Sequence, residues 1–228
     1  MIELKKSCPD AKVILDLSGT ENLTEIPEHA FEGNSSYYTD NLVGVLLPGT
    51  VISIGEDSFS NTGITEISIP ASVKSIEDYV FGYCSNLASV KFPDGLESIG
   101  GLAFRACESL KSIVIPDSVT KVDPFVFSEC YSLANVVIGS GITEIPIEMF
   151  YGCISLETVH IPASVKEINA GAFACYNKKP FTVKYAGTLE QWDNINVIME
   201  ASSNTGSPYH GVTNDALLKA TIVCTDGE

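Results

Sequence analysis

The sequence predicts an α/β repeat solenoid, a single elongated stack of similar coils, and three observations carry that prediction. Phenylalanine recurs at Phe59, Phe81, Phe104, Phe127, Phe150 and Phe173, in steps of 22, 23, 23, 23 and 23 residues. Cysteine follows three residues later at Cys84, Cys107, Cys130 and Cys153, and leucine six later at Leu87, Leu110, Leu133 and Leu156. Alternating apolar pairs come next: Val90/Phe92, Ile113/Ile115, Val136/Ile138 and Val159/Ile161. Coincidences at one fixed period are the mark of a repeat architecture.

Each element of the 23-residue unit has a physical reading. The apolar pair alternates with period two and is rich in β-branched residues, so it is a short strand with one face inward. Pro93, Pro116 and Pro162 close that strand, with Gly139 substituting once, because proline has no N–H to give a ladder. A spaced pair (Val73/Ile76, Leu96/Ile99, Val119/Val122, Ile142/Ile145, Val165/Ile168) begins a second extended or turn segment. The stretch around Phe and Cys is then a helical turn or loop that returns to the next strand. One unit cannot bury these positions alone. Stacking at about 4.8 Å, the distance between paired strands, buries each against its copy.

The irregular units mark the ends. Residues 1–41 read as an N-terminal cap with a degenerate first coil, Leu15 and Leu17 inward, and 42–187 as the repeats. The Phe31–Phe59 step is 28 residues, and its excess falls in the polar surface insertion "NSSYYTD". After Phe173 the cysteine shifts to Cys175, and a final strand places Val183 and Tyr185 inward. Residues 188–228 break the pattern and read as a C-terminal cap, in which Trp192, Ile195, Val197, Leu217 and Ile222 cover the last coil.

Composition narrows the function. Of 228 residues 45% are hydrophobic and 18% charged, so a substantial core is available and disorder is not expected. The net charge of −16 opposes nucleic acid and anionic membranes and suits a basic partner. No apolar run reaches the roughly 20 residues that span a bilayer, and "MIELKKSCPD" has no apolar signal region.

The unit "LKSIVIPDSVTKVDPFVFSECYS" resembles the BspA-like leucine-rich repeat, known also from treponemal proteins, and the likeness covers about Leu42 to Tyr185. "YAGTLEQWDNI" followed by "LLKATIVCTDG" is similar to the tail that often ends such arrays. The resemblance implies a curved, right-handed leucine-rich repeat array with a parallel sheet on its concave face. It also implies a surface-exposed or secreted bacterial protein concerned with adhesion to host proteins or other microbes.

No catalytic constellation accompanies the repeat. Four thiols at equivalent positions do not describe one activated nucleophile beside a base, and the CxxC spacings of a zinc site are absent. A disulfide between stacked coils is allowed by distance but opposed by parallel side chains. Packing as small buried residues is the favoured reading, and Thr62, at the cysteine position of the Phe59 unit, suits a filler. Trp192 reads as cap core. Asp94, Asp117 and Asp123 fall in turns, where aspartate bonds its local backbone, and lack an EF-hand spacing. No enzyme, metal or cofactor is expected.

Strand alternation leaves one residue of each strand outward, giving the column Leu46, Ser68, Lys91, Val114, Val137, His160 and Lys184. Beside it run Gly44, Glu66, Ser89, Ser112, Asn135, Thr158 and Thr182, mostly small and polar. The expected partner site is Lys91, Val114, Val137, His160 and Lys184: an apolar centre with a basic and titratable border. The expected function is a non-enzymatic, monomeric recognition module for a protein or glycan ligand. The alternative is a structural or assembly protein of the cell envelope.

Overall fold

The computed structural model describes residues 11–33, 41–177, 179–199 and 213–226. The insertion at 34–40, His210 and the Ser/Asn/Thr/Gly loop at 200–212 lie outside the described residues. Strands numbered β1 to β17 in chain order form two series. The first lines one face: β1 (Val13–Asp16), β3 (Leu42–Leu46), β5 (Glu66–Ser68), β7 (Ser89–Lys91), β9 (Ser112–Val114), β11 (Asn135–Val137), β13 (Thr158–Ile161), β15 (Thr182–Tyr185) and β17 (Thr221–Val223). The second consists of two-residue strands: β2 (Glu25–Ile26), β4 (Ser53–Ile54), β6 (Ser75–Ile76), β8 (Ser98–Ile99), β10 (Lys121–Val122), β12 (Glu144–Ile145), β14 (Glu167–Ile168) and β16 (Asn196–Val197). All recorded pairings are parallel, each strand lying on its counterpart one coil away.

The first series is not one uninterrupted sheet. It comprises β1–β3, β5–β7 and a five-stranded sheet in the order β9-β11-β13-β15-β17. Coils remain tied across the gaps, where Thr65 donates its N–H to Val43 O (3.0 Å) and Ser109 to Ser85 O (3.1 Å).

Between the two strand series each coil turns through Pro or Gly139. The N–H three residues on donates back to that carbonyl, as from Leu96 to Pro93 and from Ile142 to Gly139. A Cβ on Gly139 would lie 2.3 Å from Pro116 O, so the single departure from proline marks a coil pressed onto its predecessor.

The predicted columns are buried. Phe59, Phe81, Phe104, Phe127, Phe150 and Phe173 are fully inaccessible. Their rings stack at 5.4–6.1 Å, and the column extends to Phe31 at one end and Phe181 at the other. Each buried phenylalanine contributes roughly 1.5–3 kcal/mol, and offset stacking adds about 0.5–1.5 kcal/mol per pair. Leu87, Leu110, Leu133 and Leu156 form the parallel leucine column.

The Phe/Cys segment resolves as a loop without helix. Residues two before and two after the phenylalanine take left-handed backbone: Tyr79, Leu102, Phe125 and Glu148 (φ 52–63°) on one side, Asn61, Tyr83, Ala106 and Glu129 (φ 54–62°) on the other. Such conformations cost non-glycine residues about 1–2 kcal/mol each. They turn every second N–H along the stack: Phe81 donates to Ala103 O (2.8 Å), Phe104 to Val126 O (3.0 Å) and Phe127 to Met149 O (3.0 Å). The turn face is therefore hydrogen-bonded coil to coil, as the sheet face is.

The described helices, α1 (Leu189–Asp193) and α2 (Asp215–Leu218), both lie after the last repeat. Thr188 and Gln191 form a reciprocal capping box at the start of α1. This segment continues the stack: β16 pairs with β14 and β17 with β15. Ile195 and Leu217 are buried, and Trp192, Val197 and Ile222 pack half-buried on the core. Trp192 meets Tyr185 edge-on at 5.3 Å.

Candidate functional site

The exposed column stands on a backbone that leaves its residues no choice of face. In the five-stranded sheet Ile113, Val136, Val159 and Val183 point inward and are buried, so Val114, Val137, His160 and Lys184 point out. The ladder sets them in register: Val114 beside Val137, Val137 beside His160, His160 beside Lys184, and Lys184 beside Val223. Four of the five predicted site residues thus share one sheet. Lys91 lies one coil before Val114, in the separate β5–β7 pair, in register with Ser68. Sequence reasoning missed the two ends of the column, Asp16 beside Leu46 and Val223 beside Lys184, because both strands fall outside the regular period.

Val114 is 61% exposed and Val137 38%. Neighbouring Ser112, Asn135, Thr158, Thr182 and Thr221 form an in-register polar row. At the C-terminal ends of these strands a shallow groove of about 360 Å³ is lined by Val137, His160 and Lys184 together with Asp117, Ser140 and Tyr185. The Asp117 carboxylate accepts the Ser140 N–H at 2.7 Å, and this bond holds its pKa below the ordinary value.

The cysteine column has a role beyond filling space. Cys84, Cys107, Cys130 and Cys153 are inaccessible, and each thiol donates to the phenylalanine carbonyl of the preceding coil: Cys84 to Phe59 (3.1 Å), Cys107 to Phe81 (3.3 Å), Cys130 to Phe104 (3.2 Å) and Cys153 to Phe127 (3.2 Å). Displaced Cys175 reaches Phe150 O at 3.5 Å. Thr62 is also a donor, but within its own coil, its hydroxyl giving to Phe59 O at 2.8 Å. The position selects a small residue with a proton to give. Burial pushes the Cys84 thiol up to about 11 and Cys130 to about 12, and raises Cys107 and Cys153 well above the usual thiol range, adjacent thiols adding to the shift. Thiols held protonated and out of solvent are poor nucleophiles.

The other singled-out residues take structural places. His160 is exposed on the sheet face, and His29, also exposed, lies 2.9 Å from Glu32. Among the described residues no group of three or more His, Cys, Asp or Glu side chains is placed to hold a metal ion. No helix among them is long and apolar enough to cross a membrane.

One residue that periodicity did not reveal closes the stack. Inside the array each Phe N–H finds a carbonyl of the next coil, but Phe173 has no such coil and donates to Asn214 Oδ1 (2.9 Å). Asn214 is inaccessible, and its amide NH₂ gives to Asn169 O and Ile198 O, each at 2.8 Å. A side-chain amide stands in for the missing peptide group.

The BspA type leucine-rich repeat region matches residues 8–131 and 52–180 of this chain, in six copies. A leucine-rich repeat protein of T. pallidum is similar in structure, with a TM-score of 0.54, 29% identity, and coverage of 76% of this chain and 73% of that one. A leucine-rich repeat protein of Eubacterium ventriosum shares the fold at a TM-score of 0.50 and 18% identity, covering 83% of this chain and 55% of that one. No curated protein matches the chain. With a 23-residue period, parallel strand ladders and a family match over most of its length, the chain belongs to the BspA-type leucine-rich repeat family.

Proposed function

We propose that this chain is a non-enzymatic recognition module that binds a protein partner through its sheet face. The observation that carries the reading is the exposed column in which Val114 and Val137 stand side by side, framed by Lys91, His160 and Lys184. Apolar side chains left open on a rigid ladder, with small polar neighbours, have the anatomy of a contact surface with a polar rim. Membership of a leucine-rich repeat family supports protein binding as the general use. Display on a bacterial surface or secretion, and adhesion as the purpose, extend that reading, with a glycan as the other ligand class. Residues 188–228 serve as the C-terminal cap of a monomer.

The test is the double substitution Val114→Asp with Val137→Asp. Partners captured by the wild-type chain are expected to be lost by the variant, at unchanged far-ultraviolet circular dichroism. Full retention moves the contact to the turn face and overturns the reading. An assembly role has one observation in its favour, the outer edge of β17, which has no strand partner among the described residues. A solution mass that stays monomeric as concentration rises excludes it.

A further inference from the structure

The distribution of cations over the molecule is uneven, and it identifies the chemistry of the partner. Among the described residues, three cations away from the sheet face are ion-paired and a fourth is hydrogen-bonded to the backbone. Lys74 lies 3.6 Å from Glu97, Arg105 3.0 Å from Glu129 and Lys121 2.9 Å from Asp123, while Lys166 donates to Ala163 O. Lys91, Lys111, Lys179, Lys184 and Lys219 form no ion pair or side-chain hydrogen bond with any described residue. All five are exposed: Lys91 and Lys184 stand in the outward column, and Lys111, Lys179 and Lys219 precede β9, β15 and β17 in sequence. In a chain with 29 acidic and 13 basic residues, the sheet column itself carries two lysines, Lys91 and Lys184, without an ion pair among the described residues. Acidic residues on the same face are Glu157 at the margin, Glu66 in the polar row one coil before Lys91 and Asp16 at the far end of the column, and the Asp117 carboxylate is already engaged by the Ser140 N–H.

We propose that the C-terminal half of the sheet face receives an extended acidic segment of a partner protein, with carboxylates on Lys91 and Lys184 and apolar side chains between them on Val114 and Val137. This rests on the reading of the sheet face as the contact surface. The two lysines are four coils apart, about 19 Å at the spacing of paired strands, and an extended chain rising about 3.3 Å per residue covers that distance in about six residues. The carboxylates are therefore expected about six positions apart. A polypeptide is favoured over a sugar because the described outward columns carry no Phe, Tyr or Trp ring for a sugar to stack on. Among the described residues the exposed tyrosines Tyr83, Tyr131 and Tyr176 all belong to the turns that follow the buried phenylalanines.

The experiment is selection from a random linear peptide library on the immobilised full chain, followed by affinity measurement of enriched peptides at low and high salt. Enriched sequences should carry excess Asp and Glu, with carboxylates about six residues apart. Affinity should fall about tenfold or more in the double variant Lys91→Glu, Lys184→Glu, and should fall with added salt. Basic or neutral sequences that bind and are lost on Val114→Asp with Val137→Asp overturn the acidic assignment and leave the sheet-face reading standing. Acidic sequences indifferent to both double variants overturn both readings. Failure of any peptide to enrich, retention of heparin in its place, or a concentration-dependent dimer dissolved by the lysine reversals each overturn the peptide proposal.

Discussion

The turn face and the sheet face are built by the same period and treat their side chains oppositely. Across the turns one chemistry repeats with little change, phenylalanine on phenylalanine and a small buried proton donor at the carbonyls of Phe59, Phe81, Phe104, Phe127 and Phe150. In the outward column of the sheet no chemistry persists: Leu46, Ser68, Lys91, Val114, Val137, His160 and Lys184 follow one another. Uniform columns are what a stack needs, since every coil must present the same surface to the next. A column freed from that demand is open to specificity.

The largest expected effect comes from removing the end of the stack. Truncation after Gly187 removes β16, β17 and Asn214, leaving the Phe173 N–H without its acceptor and the β15 edge open. The shortened chain is expected to self-associate, with loss of a cooperative thermal transition. A monomer with an unchanged melting temperature would show that the segment is an appendage.

Asn214→Ala isolates one part of that cap. It strips three hydrogen bonds to backbone groups, one buried and two part-buried, and unsatisfied buried groups cost about 1–3 kcal/mol. Urea denaturation should report a loss in that range. A loss under about 0.5 kcal/mol, as at an ordinary surface site, would contradict the capping role.

The thiol column allows a finer cut. Cys107→Ala removes both sulfur volume and donor and should cost about 1–2 kcal/mol, whereas Cys107→Thr keeps a donor, as Thr62 does, and should cost less. If Thr is the more disruptive, the position selects for volume alone. The column also sets a pH dependence. Because folding raises these thiols above their unfolded pKa near 8.5–9, their contribution is complete below that range. It is lost as pH rises through the folded values, about 11 for Cys84 and about 12 for Cys130. Stability should fall by about 1.4 kcal/mol per pH unit for each thiol over that window, and less steeply in Cys107→Thr.

What was legible in the sequence was whatever repeats. The Phe, Leu and Cys columns, the strand with its outward residue and the atypical end all follow from side-chain periodicity. The geometry of the candidate site followed too, since alternation fixes which residue of a strand faces out. The left-handed turns were invisible because Tyr79, Leu102 and Phe125 do not advertise such a backbone as glycine would; stacking imposes it on them. Asn214 was invisible because it occurs once, and its partners Asn169 and Phe173 lie more than 40 residues away in sequence. The thiol–carbonyl bonds are not visible in the sequence because a cysteine's volume and its proton leave the same trace there.

The division between the two faces is tested most directly by denaturing three proteins side by side: wild type, Phe104→Ala, and the double variant Val114→Asp, Val137→Asp. Phe104→Ala opens the middle of a fully buried ring stack and is predicted to lose about 3–5 kcal/mol. The double variant changes two exposed side chains and is predicted to stay within about 1 kcal/mol of wild type, on the scale of two surface substitutions. A double variant as unstable as Phe104→Ala would mean that the sheet-face column holds the fold together, and the separation of fold from recognition would be wrong.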